Sequence, residues 1–402
     1  MRSILYSFIF ISIYLLLGIS LNACQSLSQE GKASHKDFEF ESVGYKYFEM
    51  DSLSHPNYFD AFVYDEDSKS YYTLNRAPKE NYIFYIFDEK SGKIKNKVSV
   101  PKEGANSVEG ISSFFIFSNG VRPILGLYSE ALSYIYFIDW QKGARKTLKL
   151  PRDYESITFD ADFFPPVPRI SNILGAYLLD GKIHTTGYIM GEYENETESN
   201  RPFTCTIDTT TGKIEYGLCY PKLYQEGHWG GVHFRQPSMT YIPSKDEFIY
   251  NLPADNHLYV QKRNSKEHRK VYAGSRNFEQ PKPPFKLSKN ADLPNMAQTS
   301  KALAITPMFA GVRYDPYNHL IYRITIFPYR AYQPSEEQHP IGYLKCSIIV
   351  LNENYEVLGE KELDEKIYGW DIIVSPEGLL IGTKAQEEDK LTYEIFKPRL
   401  AP

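Results

Sequence analysis

Several side chains with useful chemistry lie close together at residues 226–237, which have the sequence EGHWGGVHFRQP. This segment contains His228, Trp229, His233 and Arg235 around a pair of glycines. An indole stacks on flat ligand faces, a guanidinium pairs with carboxylates and imidazoles ligate metals. The segment therefore predicts a ligand site for a sugar or a carboxylate. No carboxylate completes a recognised ligand spacing with the two histidines, so no metal and no cofactor is predicted.

The same segment also fits a purely structural connection. Paired glycines allow the chain to follow a tight path between two elements. The aromatic side chains of such a connection fill the hydrophobic core instead of facing a ligand. The sequence leaves both interpretations open.

The chain carries none of the short motifs that mark common active sites. It has no nucleophile elbow, zinc-protease helix, phosphate-binding loop or dinucleotide fingerprint. Active sites that are dispersed over several elements lack such motifs, so enzymatic activity stays undecided, with non-catalytic binding favoured. The formal net charge of −5 does not suit a nucleic-acid partner, which needs a concentrated basic face.

Short β-strands are predicted to position these side chains. Tyr (33) and Phe (24) are abundant and occur with Ile and Val in short runs, which is typical of half-buried strands. Long helical stripes are rare. Pairs of runs flank turns that begin with Asp and end with Gly, at residues 88–92, 139–143 and 208–212. Because Asp caps such a turn and Gly accepts its positive φ, each pair predicts a hairpin.

Repeated four-strand units predict an all-β fold, the β-propeller. The units lie at residues 60–100, 112–150, 172–220, 237–273, 309–363 and 369–397. The last unit lacks one strand, which residues 38–50 supply, so that the N-terminal strand closes the ring. Six blades are favoured, with seven blades or stacked β-sandwiches as alternatives. Prolines in residues 274–306 predict an irregular connection there.

Three arginines, Arg235, Arg313 and Arg323, form a second group of candidate site residues. The innermost strands of a propeller line a central channel, where converging arginines would bind an anionic ligand. In the alternative interpretation, an arginine bridges neighbouring blades through backbone carbonyls or carboxylates. Strand alternation alone does not decide where Arg323 points.

Cys205 and Cys219 flank the hairpin turn at residues 208–212. Simple hairpin register places Cys205 opposite Tyr216 and not opposite Cys219. A disulfide therefore stays an alternative, and buried free thiols are favoured.

The N-terminal residues have the layout of a secretory signal. A basic residue precedes an apolar run at residues 4–19, and the tetrapeptide LNAC ends at Cys24. This tetrapeptide resembles the lipobox of bacterial lipoproteins, which implies cleavage after Ala23 and attachment of diacylglyceryl and acyl (palmitate-type) groups to Cys24. An uncleaved membrane anchor is the alternative.

The expected domains are a signal peptide at 1–23, a lipidated cysteine with a flexible tether at 24–36, and one propeller domain at 37–402. Gln25 follows the cysteine. The absence of aspartate there favours the outer membrane of the cell envelope, and both the periplasmic face and the cell surface remain open.

Taken together, the lipobox, the tether and repeats such as YD…YT at residues 64–73 and YDPY…YR at residues 314–323 resemble the uncharacterised six-bladed propeller lipoproteins of Bacteroidetes. The resemblance covers most of the chain after residue 36 and implies a fold and a location, but no activity. We expect a membrane-anchored lipoprotein whose propeller binds a glycan, a peptide or an envelope protein. The alternative is a hydrolase or lyase acting on polysaccharide or peptide at the central well.

Overall fold

The structure is a computed structural model, and the residues that it describes form mainly β-strands. The described residues are 38–54, 60–104, 106–118, 123–139, 144–151, 165–188, 201–229, 232–286, 295–328, 344–364, 367–383, 387 and 389–399. The expected signal peptide, Cys24 and tether, the Gly pair at 230–231, and most of the turn at 139–143 lie outside these residues.

Six antiparallel sheets account for the 25 strands of the described residues. The first strand, β1 (Glu39–Glu49), belongs to the last sheet. Blade 1 contains β2 (Val63–Asp65), β3 (Ser70–Asn75), β4 (Asn81–Asp88) and β5 (Ile94–Pro101). Blade 2 contains β6 (Ser113–Phe117), β7 (Ile124–Ser129), β8 (Tyr134–Asp139) and β9 (Ala144–Lys149). Blade 3 contains β10 (Val167–Arg169), β11 (Tyr177–Leu179), β12 (Lys182–Tyr188), β13 (Thr204–Asp208) and β14 (Ile214–Tyr216).

The second half of the chain follows the same plan. Blade 4 contains β15 (Ser238–Ile242), β16 (Glu247–Asn251), β17 (His257–Lys262) and β18 (His268–Tyr272). Blade 5 contains β19 (Met308–Asp315), β20 (Leu320–Pro328), β21 (Leu344–Asn352) and β22 (Val357–Glu362). Blade 6 contains β23 (Ile367–Ser375), β24 (Gly378–Thr383) and β25 (Lys390–Arg399), and β1 completes it.

The six-bladed propeller and its closure by the N-terminal strand confirm the sequence prediction. Strand β1 pairs antiparallel with β25 from Glu39 opposite Arg399 to Glu49 opposite Lys390. The ring is therefore closed within one sheet, in which β1 from the N-terminal part of the chain pairs with β25 from the C-terminal part. This arrangement pairs an edge that the last blade would otherwise leave open.

Six hydrophobic clusters hold the blades together, and each joins consecutive blades around the ring. The cluster between blades 6 and 1 shows the closure most directly. In it, Phe48 of β1 packs against Phe62 at 4.5 Å and against Tyr393 at 5.5 Å between ring centroids. Six of the eleven buried residues of this cluster are Phe or Tyr, and such aromatic side chains bury large areas.

Turn chemistry fixes the outer hairpins as predicted. Asp88 Oδ1 accepts from the backbone N of Ser91 at 2.9 Å, and Gly92 has φ +66°. Asp208 Oδ1 accepts from the backbone N of Thr211 at 2.7 Å, and Gly212 has φ +76°. Each carboxylate caps its turn, and each glycine takes the conformation that other residues rarely adopt.

The connection at residues 274–306 contains a helix that the proline content did not predict. Helix α1 (Met296–Ile305) begins with a capping box in which Asn295 and Gln298 bond each other's backbone N atoms at 2.9 and 2.8 Å. Short 3-10 turns occur at Lys222–Gln225, Val232–Phe234 and Pro243–Lys245. Within the described part of the chain, no helix combines the length and the apolar character needed to cross a membrane.

Candidate functional site: the axial cavity

The inner strands of the blades surround a cavity of about 510 Å³ on the propeller axis. It lies mainly where these strands begin, so residues before and within β2, β6, β15, β19 and β23 reach it. This volume falls within the roughly 300–1,000 Å³ typical of small-molecule sites. Apolar side chains form much of the wall, and hydroxyl, amide and charged groups interrupt it. The apolar part comes from Phe62, Phe114, Ile173, Leu174, Met308 and Leu391.

An ion pair between Asp60 and Arg76 forms one side of the cavity. The guanidinium Nη2 lies 2.6 Å from Asp60 Oδ2 and also donates to the carbonyl of Ser112 at 2.8 Å. Its Nη1 donates to the carbonyl of Ile111 at 2.8 Å. Burial raises the pKa of Asp60, and Arg76 opposes that rise. The guanidinium of Arg76 therefore links blade 1 to the start of blade 2 through these contacts.

A second ion pair lies on the blade 3 side. Arg169 pairs with Glu130, and its guanidinium stacks 5.0 Å from the ring centroid of Tyr188. The Tyr188 hydroxyl donates to Glu130 Oε1 at 2.6 Å. His233 lies close by. Burial lowers the pKa of its imidazole, and the positive charge of Arg169 lowers it further. Both Arg169 and His233 line the cavity.

Asp371 of β23 is the carboxylate in the cavity without a cationic partner among the described residues. Its Oδ2 accepts from the Tyr393 hydroxyl, while Oδ1 is buried and has no hydrogen-bond partner in that part of the chain. Burial raises the pKa of Asp371 to about 6. Gly382 makes room for this carboxylate, since a Cβ at that position would lie 2.9 Å from Asp371 Oδ2.

Arg313 of β19 lies on the axis and also lines a second, smaller cavity of about 160 Å³. Its Nη1 donates to the carbonyl of Val312 at 2.9 Å. Burial lowers the pKa of its guanidinium, and the opposing influence comes from Tyr177. The hydroxyl oxygens of Tyr177 and Thr240 lie 3.2 Å apart, within hydrogen-bond distance.

The residues of segment 226–237 lie in different environments. Trp229 is fully buried in the hydrophobic cluster between blades 3 and 4, with its ring 5.4 Å from Tyr224 and 6.2 Å from Phe234. His228 forms an isolated β-bridge with Phe285, with N–O distances of 3.0 and 3.2 Å. These placements match the structural interpretation of the segment, in which the aromatic side chains fill the core.

The other predicted site residues are also separated. Arg235 is buried, and its carbonyl accepts from the Tyr220 hydroxyl at 2.5 Å. Of the four candidates in the segment, only His233 lines the axial cavity. Arg323 is completely buried away from that cavity. The structure therefore does not bring the five candidates together.

Arg323 bridges blades 4 and 5, the second role that the sequence left open. Its guanidinium donates to Asn251 Oδ1 at 2.9 Å and to the carbonyls of Asn256 and Ala273 at 2.9 and 2.8 Å. The carbonyls of Asp255 and His257 also accept from it. The same group lies 3.5 Å from the ring centroid of Phe309. All of these contacts are made to the protein itself.

Sequence reasoning singled out Arg313 but missed Asp371, Arg169 and Arg76. Asp371 lies in the middle of β23, Arg169 is the last residue of β10 and Arg76 follows β3, so no shared position in the strands marked them in the sequence. No short motif joins them, because each blade contributes one or two residues from distant parts of the chain.

Cysteines and metal ligands add no further site. Cys205, Cys219 and Cys346 are free thiols, and Cys205 lies opposite Tyr216 as the hairpin register predicted. Within the described residues, no three His, Cys, Asp or Glu side chains are grouped closely enough to hold a metal ion.

Residues 37–362 match a protein family described as "Domain of unknown function (DUF4221)". The chain belongs to this family. A DUF4221 member from Bacteroides vulgatus has a crystal structure with a TM-score of 0.72 at 20% identity, covering 92% of this chain and 100% of that one. The expected relationship to propeller proteins of Bacteroidetes is thereby confirmed.

A second crystal structure, of the Bacteroides fragilis protein named "Putative exported protein (BF0058)", has a TM-score of 0.52 at 11% identity. The match covers 92% of this chain and 98% of that chain. At such low identities, both similarities establish the fold alone. No curated protein is significantly similar in sequence to this DUF4221 chain.

Proposed function

We propose that this DUF4221 protein is a lipoprotein of the cell envelope whose propeller binds a small organic ligand in the axial cavity. The observation that carries the proposal is the cavity itself. It has the volume of a small-molecule site, and its wall combines apolar side chains with polar and charged groups supplied by different blades. The six sheets and the connections between them bring those groups together from distant parts of the chain.

The envelope location rests on the lipobox at Cys24 and is supported by the name of the Bacteroides fragilis neighbour, which describes an exported protein. Expression with a radiolabelled or alkyne-tagged palmitate should label the full-length protein. A Cys24→Ala variant should remain unlabelled. Equal labelling of both forms, or no labelling of either, would contradict lipidation at this residue.

Ligand binding is tested on residues 25–402 with a thermal-shift panel of envelope glycan fragments, short peptides and organic acids, followed by calorimetric titration. A ligand that binds only the native state raises the melting temperature in proportion to occupancy. The Gln236→Trp variant should block the cavity and abolish the shift, since Gln236 lines it. Leu53→Trp provides the control, because Leu53 is 57% exposed and lies elsewhere. Binding that survives Gln236→Trp would place the ligand outside the cavity.

A hydrolase or lyase is the second candidate, and the state of Asp371 favours testing it. A carboxyl group with a pKa near 6 is suited to general acid catalysis close to neutral pH. Turnover of a polysaccharide or peptide that disappears in both Asp371→Asn and His233→Ala would support an enzyme. Turnover that is unchanged in Asp371→Asn would exclude this carboxyl as the acid. Captured protein partners without any small-molecule stabilisation would instead favour an assembly role.

A further inference from the structure

We propose that the ligand of the axial cavity carries a carboxylate and that Arg313 binds it. This inference rests on the proposed function and specifies the chemical class of the ligand. Arg313 lies on the axis and lines both the larger and the smaller cavity. A ligand in the larger cavity would therefore lie within reach of the guanidinium.

The backbone of β19 directs Arg313 into this position. Met308 and Ala310 line the cavity, so regular alternation would bring Val312 there next. The pairing of β19 with β20 shifts register between Phe309 and Gly311. After this bulge Val312 is buried between blades 4 and 5, and Arg313 faces the axis. Bulges commonly re-aim a side chain next to a functional site.

The hydrogen bonds of Arg313 leave most of its donors available. Among the described residues, its one acceptor is the Val312 carbonyl of its own strand, and no carboxylate forms an ion pair with it. A guanidinium has five N–H donors, and burying a charge without partners is costly. Arg313 is half-buried, and this burial disfavours its charged form. An anion in the cavity would therefore stabilise the guanidinium by accepting from the donors that the protein leaves open.

Arg323, ten residues along in the same blade, shows how this fold satisfies a buried guanidinium that has no ligand. Five oxygen acceptors from blade 4 surround Arg323. One acceptor serves Arg313. The contrast indicates that the environment of Arg313 is incomplete in the protein alone and that the remaining donors face the cavity.

The other charges of the cavity favour a monoanion. Arg76 is paired with Asp60, and Arg169 is paired with Glu130. Among the described residues, Arg313 is the cation of the cavity without a paired carboxylate, while Asp371 lines the same cavity and becomes negatively charged above pH 6. This arrangement suits an organic acid with a single negative charge better than a phosphate, which carries more charge and needs more donors. A planar guanidinium matches the two oxygens of a carboxylate. The body of the ligand would lie against Phe62, Phe114 and Leu174.

The test compares acids with their uncharged amides by calorimetric titration of residues 25–402. The probes are N-acetyl-alanyl-alanine, hippurate and D-glucuronate, each with its amide, and inorganic phosphate. We expect at least one acid to bind, and its amide and phosphate to bind at least tenfold more weakly, the effect of one charge-assisted contact. Arg313→Gln should weaken binding of that acid at least tenfold and remove its advantage over the amide.

Two further variants control the result. Arg399→Gln changes an exposed arginine at the outer edge and should leave binding unchanged. Arg313→Lys keeps the charge, so partial binding is expected if Arg313→Gln fails to fold. Equal binding of acid and amide, or unchanged binding in Arg313→Gln, would overturn the inference while leaving a neutral ligand and the proposed function intact. Failure of every acid to bind would also overturn the inference. The proposed function is tested separately, by the thermal-shift panel and the Gln236→Trp variant.

Discussion

Replacing the fully buried Arg323 or the half-buried Arg313 of blade 5 by methionine should shift stability in opposite directions. Methionine is unbranched and adaptable, so it fills the space of the arginine stem without charge. Arg323→Met removes donors from five oxygen acceptors between blades 4 and 5. Arg313→Met removes one hydrogen bond, to the Val312 carbonyl, and relieves the burial of a charge.

The magnitudes follow from what each change leaves behind. A buried acceptor that loses its donor costs about 1–3 kcal/mol, and disrupting a buried charged network costs about 3–5 kcal/mol. We expect Arg323→Met to lower the free energy of unfolding by about 3–5 kcal/mol. Arg313→Met should raise it by at most about 1 kcal/mol, since replacement of poorly compensated buried charges by apolar groups is often stabilising and Arg313 is only half-buried.

Differential scanning calorimetry of residues 25–402 without ligand measures both effects. With an unfolding entropy of about 2.1 cal/mol/K per residue, a domain of this length shifts by roughly 1.3 °C per kcal/mol. Arg323→Met should therefore melt about 4–7 °C lower, and Arg313→Met at most about 1 °C higher. A comparable loss of melting temperature in both variants would refute the reasoning, because it would show that Arg313 has structural acceptors as Arg323 does.

Three further changes have defined outcomes. Burial raises the pKa of Asp371 to about 6 from its ordinary value of 3.8, so the folded state binds the proton more tightly and stability falls as pH rises from about 4 to 6. Asp371→Asn should raise the melting temperature at pH 7 and leave it unchanged near pH 4. Burial lowers the pKa of His184 to about 4 from 6.5, so stability is lost as pH falls from about 6.5 to 4, and His184→Gln should lessen this loss. Trp229→Ala should cost about 3–5 kcal/mol as a core truncation, measured by chemical denaturation, while ligand affinity in the axial cavity stays the same.

Local sequence signals were sufficient to predict the blades. Asp88 with Gly92, and Asp208 with Gly212, determine hairpin turns within a few residues, so strand pairs follow from nearby residues alone. The missing strand of the last unit then identified residues 38–50 as its partner, and β1 (Glu39–Glu49) fills that place. The helix at Met296–Ile305 was missed because prolines earlier in the same stretch dominated its interpretation.

The candidate site could not be predicted in the same way, because it depends on long-range convergence. Asp371 and Arg313 line one cavity only after the ring has closed. The direction of Arg313 depends on the bulge between Phe309 and Gly311, which strand alternation does not reveal. Likewise, Trp229 lies beside glycines that suggest an open loop, but it occupies the core between two blades. Composition identified side chains capable of chemistry, and packing decided which of them face the cavity.

A crystal structure of residues 25–402 with the tightest-binding compound of the acid and amide set tests the central claim most directly. We predict that the compound occupies the axial cavity, with its carboxylate within hydrogen-bond distance of the Arg313 guanidinium and its body against Phe62 and Phe114. A compound bound on an outer surface, with the guanidinium of Arg313 paired to a group of the protein itself, would contradict it.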